Sequence, residues 1–275
     1  AHMERMGSLF GIAETKGAIY EALPDDGIAV VNVDDAFAPY FLERIGRRAV
    51  LRFGMQSNAD IAAKLLKLDI DGSSFELITP AGRAVIQLSF PGQHNVMNAL
   101  AASAMALAAG ASFDAIVSGL HHARPVAGRQ VMMQLGNQAI LIDDSYNANP
   151  GSVTAAIDAL VTACALDKKS SALVLGDMAE LGGAAEAMHY QIGMYAKSRG
   201  IQQLFACGAL SLATCNGFGE GAQYFLTQQA LIESLVQNVS SEQRLLVKGS
   251  RSSQMDKVVN KLVTTFSLKE TPNAS

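Results

Sequence analysis

Cysteine is scarce in this sequence, and what there is does not cluster. Cys164, Cys207 and Cys215 share no C-x-x-C spacing and are odd in number. That argues against a disulfide framework and a cysteine metal site, and reads as small packed or surface residues in a reducing compartment. No stretch reaches the ~18 apolar residues a membrane helix needs. The opening AHMERMG lacks the apolar core of a secretory signal, so the cytoplasm is the default expectation. Charge is thin as well, at 17%, with 21 basic against 25 acidic residues and a net charge of −4. Nucleic-acid binders usually carry a strongly basic face, and this balance argues against one.

Several chemistry-bearing words are also missing. There is no G-x-x-x-x-G-K-[ST], hence no P-loop within the sequence. Gly217-Phe218-Gly219-Glu220-Gly221 has the wrong third spacing for a dinucleotide loop. H-E-x-x-H, G-x-S-x-G and zinc-cluster spacings do not occur. The histidines, His2, His94, His121, His122 and His189, are scattered, and each alone reads as structural. The initiator Met is missing too, so the start reads as a cut inside something longer.

What is present is core material. Nearly half of the 275 residues are apolar, 49%, and the length suggests two domains. Ser8 is a candidate N-cap and Pro24-Asp25-Asp26-Gly27 a stop. Between them Ile12, Ile19 and Leu23 recur at helical spacing, and Lys16 falls on the same stripe. Such a lysine either snorkels to water or is a partly desolvated amine of depressed pKa, able to react or to sit near a metal. Strands are expected at 28–33 and 49–53, a hairpin over 71–89, and helices over 96–109 and from Phe113 to the His121-His122 pair. From about Gln130 strands alternate with helices: 139–142, 171–175, 203–206 and 245–247. That alternation predicts a parallel, doubly wound, Rossmann-like sheet, with a domain boundary near Arg129.

In such sheets ligands sit beyond the C-terminal strand ends. Those ends carry DDSYNAN (143–149), GDMAELG (176–182) and KGSRSS (248–253). The last offers two cations, hydroxyls and a helix start, a combination suited to an anion. Asn149 reads as an N-cap with Pro150 at the first helical position. The Asp143-Asp144 pair could orient hydroxyls or bear on a cation.

These words, in this order and at these strand ends, resemble the Mur ligase family. GQHNVMNAL (92–100), Gly128-Arg129, and AHME followed by AETKG (13–17) extend the likeness over essentially the whole chain. The resemblance implies an α/β protein: part of the central ATPase domain (1–129), then the Rossmann-like C-terminal ligase domain (130–275). It implies ATP and Mg²⁺ as cofactors, with an acyl phosphate that an incoming amine converts into an amide. DDSYNAN and KGSRS imply, more narrowly, the branch whose substrates are UDP-N-acetylmuramoyl-tripeptide and D-alanyl-D-alanine, in peptidoglycan precursor synthesis.

Residue by residue, His2 corresponds to a metal-ligand histidine. Lys16 corresponds to a lysine that is carboxylated in much of the family, its carbamate reaching a metal. Asn95 and Asn98 correspond to residues near adenine. Arg129 corresponds to a hinge arginine that reaches ATP, and Asp144 to an aspartate at the ribose. Asn149, Ser250 and Arg251 would touch substrate. The family's UDP-binding domain and P-loop are absent from this sequence, so the chain alone is expected to be inactive, and a monomer. Two other readings stay open: a different Mur-type or folylpolyglutamate-type ligase, and a non-catalytic α/β binding module.

Overall fold

A computed structural model describes residues 8–56, 58–70 and 72–267. The chain divides into two compact units between Arg124 and Pro125.

The first unit holds a five-stranded sheet in the order β1-β2-β3-β4-β5. Its strands are β1 (Ile28–Asn32), β2 (Ala49–Gly54), β3 (Ile61–Leu68), β4 (Ser73–Thr79) and β5 (Gly82–Leu88). The first three run parallel, and β3-β4-β5 form an antiparallel meander. The helices are α1 (Leu9–Glu21), α2 (Ala38–Ile45), α3 (Gln93–Ala108) and α4 (Phe113–His122). One core gathers Phe75, Leu77 and Ile86 of the hairpin with Val96 and Leu100 of α3 and Ile116 of α4. A smaller one joins Ala29 and Val31 of β1 to Ala38 and Ile45 of α2. Ser8 caps α1 as expected, accepting from Gly11 N–H at 3.0 Å. The strand β3 has no forerunner in the sequence reading. Its residues, IAAKLLKL, are mostly helix formers, and a bulge between Lys64 and Lys67 puts Leu65 at φ 53.

The stripe expected along α1 does not form. Its buried residues are Ala13 and Gly17, while Ile19 is 67% exposed and Lys16 points to solvent. Small residues at i and i+4 let α1 approach α2 closely: a Cβ on Gly17 would sit 3.1 Å from the Arg44 side chain. Close approach, not bulk, decides which face of α1 is buried.

The second unit is doubly wound, with strand order β10-β9-β8-β11-β7-β6. The strands are β6 (Val131–Gln134), β7 (Ile140–Asp144), β8 (Ser170–Gly176), β9 (Gln203–Cys207), β10 (Ala222–Phe225) and β11 (Gln243–Lys248). All pair in parallel except β6, which runs antiparallel at one edge. Helices α5 (Pro150–Asp167), α6 (Ala185–Ser198) and α7 (Ser211–Phe218) cover one face; α8 (Gln228–Asn238) and α9 (Asp256–Ser267) cover the other. Both edge strands, β6 and β10, escaped the sequence reading, because short edge strands lack the continuous apolar run of a strand buried on both faces. By contrast every residue of β11 is buried, including Gln243, Arg244 and Lys248. Each has a partner: Gln203, Asp167 and Asp144 respectively.

Candidate active site at the strand ends of the second unit

The parallel topology delivers the loops after β7, β8, β9 and β11 to one edge of the sheet, and hydrogen bonds lace them together. Lys248, at the end of β11, reaches across to β7. Its Nζ donates to Asp144 Oδ2 at 2.6 Å and to Asn147 O at 2.9 Å. Both partners are buried, Lys248 at 3% and Asp144 at 8% exposure. The expectation of two cations in the KGSRSS loop is therefore corrected. Lys248 is spent on an internal ion pair, because burying an ammonium without a counter-charge is costly. Arg251 is the exposed cation of that loop. Nor does the loop feed straight into a long helix. A short 3₁₀ turn, Arg251–Ser253, and Gln254 at φ 49 precede α9.

Ser250 is buried at 2%. Its N–H donates to Asp177 O at 2.9 Å, its carbonyl accepts from Ser253 Oγ at 2.7 Å, and its hydroxyl lies 3.0 Å from Ser252 Oγ. Asp177 in turn braces the loop after β9, accepting from Ser211 Oγ at 2.6 Å and Leu210 N–H at 3.2 Å. Gly208 makes room for that carboxylate, since a Cβ there would fall 2.3 Å from Asp177 Oδ1. His189 supports the same region from beneath. Met178 N–H donates to its Nε2 at 3.0 Å, so Nδ1 carries the proton and donates to Ala185 O at 2.7 Å. His189 is thus a structural histidine.

The result is an open cleft of about 290 Å³ lined by Asp177, Cys207, Gly208, Leu226, Gln228, Ser252 and Ser253. Asp177 is the one carboxylate in its wall. Cys207 is no ready nucleophile: burial, with the Asp177 charge added, pushes its thiol above the usual range. Sequence reasoning missed Leu226 and Gln228, which follow an edge strand it did not detect.

Two residues past Asp144 stands Tyr146, backed by the Gly128-Arg129 turn. Gly128 N–H donates to Asp143 Oδ2 at 3.2 Å, and Tyr146 N–H donates to Gly128 O at 2.9 Å. Gly128 lies at φ 74, with Tyr146 so close that a Cβ would sit 3.1 Å from it. The turn aims Arg129 at the Tyr146 ring, its guanidinium carbon 4.3 Å from the centroid, and Arg251 approaches the same ring at 5.8 Å. Asn149 is committed to capping α5: its Oδ1 accepts from Ser152 N–H at 2.9 Å, and Ser152 Oγ accepts from its N–H at 3.0 Å.

Five candidates from the sequence, Arg129, Asp144, Asn149, Ser250 and Arg251, therefore share this edge. The remaining ones belong to the first unit. Asn95 and Asn98 stand on the first turns of α3, where Asn95 Nδ2 donates to Pro91 O at 2.8 Å and Asn98 Nδ2 to Asn95 Oδ1 at 3.4 Å. Lys16 is exposed on α1. His2 lies outside the described residues. Among the described residues no three His, Cys, Asp or Glu side chains come together as a metal site.

Comparison with known proteins decides the family. The Mur ligase middle domain matches residues 1–106, and the Mur ligase glutamate ligase domain matches 128–251. The chain belongs to the Mur ligase family. It is 42% identical over 267 residues to the UDP-N-acetylmuramoyl-tripeptide–D-alanyl-D-alanine ligase of Escherichia coli K12, covering 95% of this chain and 58% of that one. It is 33% identical to the Haemophilus influenzae ligase of the same name, covering 95% and 57%. A crystal structure of MurF from Acinetobacter baumannii matches with a TM-score of 0.88 at 31% identity, over 96% of this chain and 57% of that one. This Mur ligase chain thus spans less than three fifths of the length of these relatives, and the two-domain α/β architecture expected from its motifs is the one observed.

Proposed function

We propose that this chain supplies the acceptor side of an ATP-dependent amide ligase that joins D-alanyl-D-alanine to UDP-N-acetylmuramoyl-tripeptide, in the cytoplasm. The observation that carries the reading is the convergence of DDSYNAN, GDMAELG and KGSRSS on one sheet edge, in a chain 42% identical to a ligase of that name. The cleft of about 290 Å³ is at the small end for ligand sites, which suits a dipeptide better than a nucleotide sugar. Three buried free thiols, Cys164, Cys207 and Cys215, agree with a reducing compartment.

In the proposed reaction a substrate carboxylate oxygen attacks the γ-phosphorus of ATP and ADP leaves. The amine of the dipeptide then attacks the acyl carbon, loses a proton, and expels phosphate. Such chemistry needs cations aimed at the transferring group and a donor held in line with it. Arg129 and Arg251 are exposed cations at the Tyr146 ring on this sheet edge, and Ser252, Ser253 and Gln228 give the wall of the cleft hydrogen-bonding groups. Asp144 assists indirectly, through the ion pair that fixes DDSYNAN to β11. Asn95 and Asn98 remain the adenine candidates, and His2 and Lys16, as a carbamate, the Mg²⁺ candidates. The described residues alone do not make a metal site, so no step here runs through the ion.

The test is coupled ADP release. With ATP, Mg²⁺, UDP-N-acetylmuramoyl-tripeptide and D-alanyl-D-alanine, this chain alone should give no turnover. Fusing the E. coli ligase's segment that precedes the aligned region ahead of it should restore turnover with the dipeptide and not with single amino acids. A folded fusion that uses a single amino acid instead would overturn the assignment.

A further inference from the structure

Two arginines, from turns more than a hundred residues apart in sequence, approach one tyrosine ring. Arg129 lies 4.3 Å and Arg251 5.8 Å from the Tyr146 centroid, both within the ~6 Å over which a ring quadrupole attracts a cation. Both arginines are exposed, and Tyr146 is 44% exposed. Among the described residues neither guanidinium has a carboxylate partner. The nearby acids are already engaged: Asp144 by Lys248, and Asp143 by Gly128 N–H and by the Ser145 N–H and hydroxyl. Two like charges therefore stand over one ring without a counter-ion. An anion between them would relieve their repulsion and add charge-assisted hydrogen bonds. Because both distances end on one centroid, the guanidinium carbons are at most about 10 Å apart. A polyphosphate chain can bridge that gap.

We infer that Tyr146 is a positioning residue: its ring parks Arg129 and Arg251 so that both engage one polyphosphate. The backbone supports this role. Tyr146 N–H is tied to Gly128 O, and the glycine at φ 74 lets the arginine-bearing turn close against the tyrosine. The hydroxyl of Tyr146 makes no hydrogen bond among the described residues, so the ring is the working part. Naming polyphosphate as the ligand rests on the ligase reading above, while the parking of two cations rests on the geometry alone.

The experiment is a titration of sodium triphosphate into the chain with ¹⁵N-labelled arginine. The Nε–H signals would be assigned with Arg129→Lys and Arg251→Lys. In the free protein both signals should show ring-current shifts, and both should move on titration. Tyr146→Leu should abolish the ring-current shifts and weaken triphosphate binding about tenfold, as expected for two exposed cation–π contacts. Tyr146→Phe should keep the shifts and bind within twofold of the parent. Absence of ring-current shifts in the parent overturns the inference, even if Tyr146→Leu does not fold. So does equal binding by Tyr146→Leu, equal loss in Tyr146→Phe, or no response to triphosphate at all. No turnover is measured, so failure here is separate from failure of the fusion assay.

Discussion

Lys16 and Lys248 are both offered by the sequence as functional cations, and the two units treat them in opposite ways. Lys248 sits at the end of a strand buried on both faces, and its charge is turned inward onto Asp144. Lys16 lies on a helix whose buried face is built from Ala13 and Gly17, and its charge goes to solvent. In the second unit, strand ends converge by topology, and polar side chains meet one another. In the first, the described candidates ride on helices: Asn95 and Asn98 share the first turns of α3, and Lys16 stands on α1. A parallel sheet therefore makes its chemistry legible, since one rule says where to look. A mixed sheet flanked by helices gives no such rule.

The sharpest way to test this contrast is to break the buried pair. Lys248→Met takes the ammonium away from the buried Asp144 carboxylate and from the Asn147 carbonyl. We expect a loss of about 3–5 kcal/mol in urea unfolding. The double variant Lys248→Met with Asp144→Leu should recover most of it, because two apolar groups remove the stranded charge. If the single variant costs less than about 1 kcal/mol, water reaches Asp144 and the pair is not the brace of this edge.

A smaller contrast comes from glycines. Gly193 of α6 lets this helix lie directly on α7: a Cβ would come 2.0 Å from Thr214 O. Gly119 of α4, in the first unit, has nothing within 4 Å of where a Cβ would go. Gly193→Ala should therefore cost at least about 1–3 kcal/mol by overpacking. Gly119→Ala should raise stability by about 0.5–1 kcal/mol through helix propensity. Thermal melting of both variants side by side checks the signs, and a matching sign in the two would refute the close-packing account of α6 and α7.

Legibility follows from the same physics. The inner strands β8, β9 and β11 are visible because burial on both faces forces continuous apolar runs, and the half-buried β7 shows through its apolar Ile140-Leu141-Ile142. The edge strands β6 and β10 were not, and Leu226 and Gln228 of the cleft went unseen with β10. Asn149 was read correctly as a cap, because capping is local chemistry. Asp144 was placed at the right edge, but its partner is 104 residues away, beyond any local pattern. The two-cation ring at Tyr146 joins the turn before β6 to the turns after β7 and β11, and only the strand order places them together.

The smallest expected effect concerns Lys16, where the apolar-stripe argument failed. A stripe of Ile12, Lys16, Ile19 and Leu23 would make the amine part of a core edge, and removing it would matter to folding. With Ile19 at 67% exposure and Lys16 itself exposed, that route is closed. Lys16→Gln should shift the urea unfolding free energy of this chain by no more than about 0.5 kcal/mol, the usual range for an exposed position. Any role of Lys16 then lies in reaction chemistry, and it should appear as lost turnover in the fused ligase at unchanged stability. A stability loss above about 1 kcal/mol would mean that the amine is packed after all, and would restore the stripe that this structure does not contain.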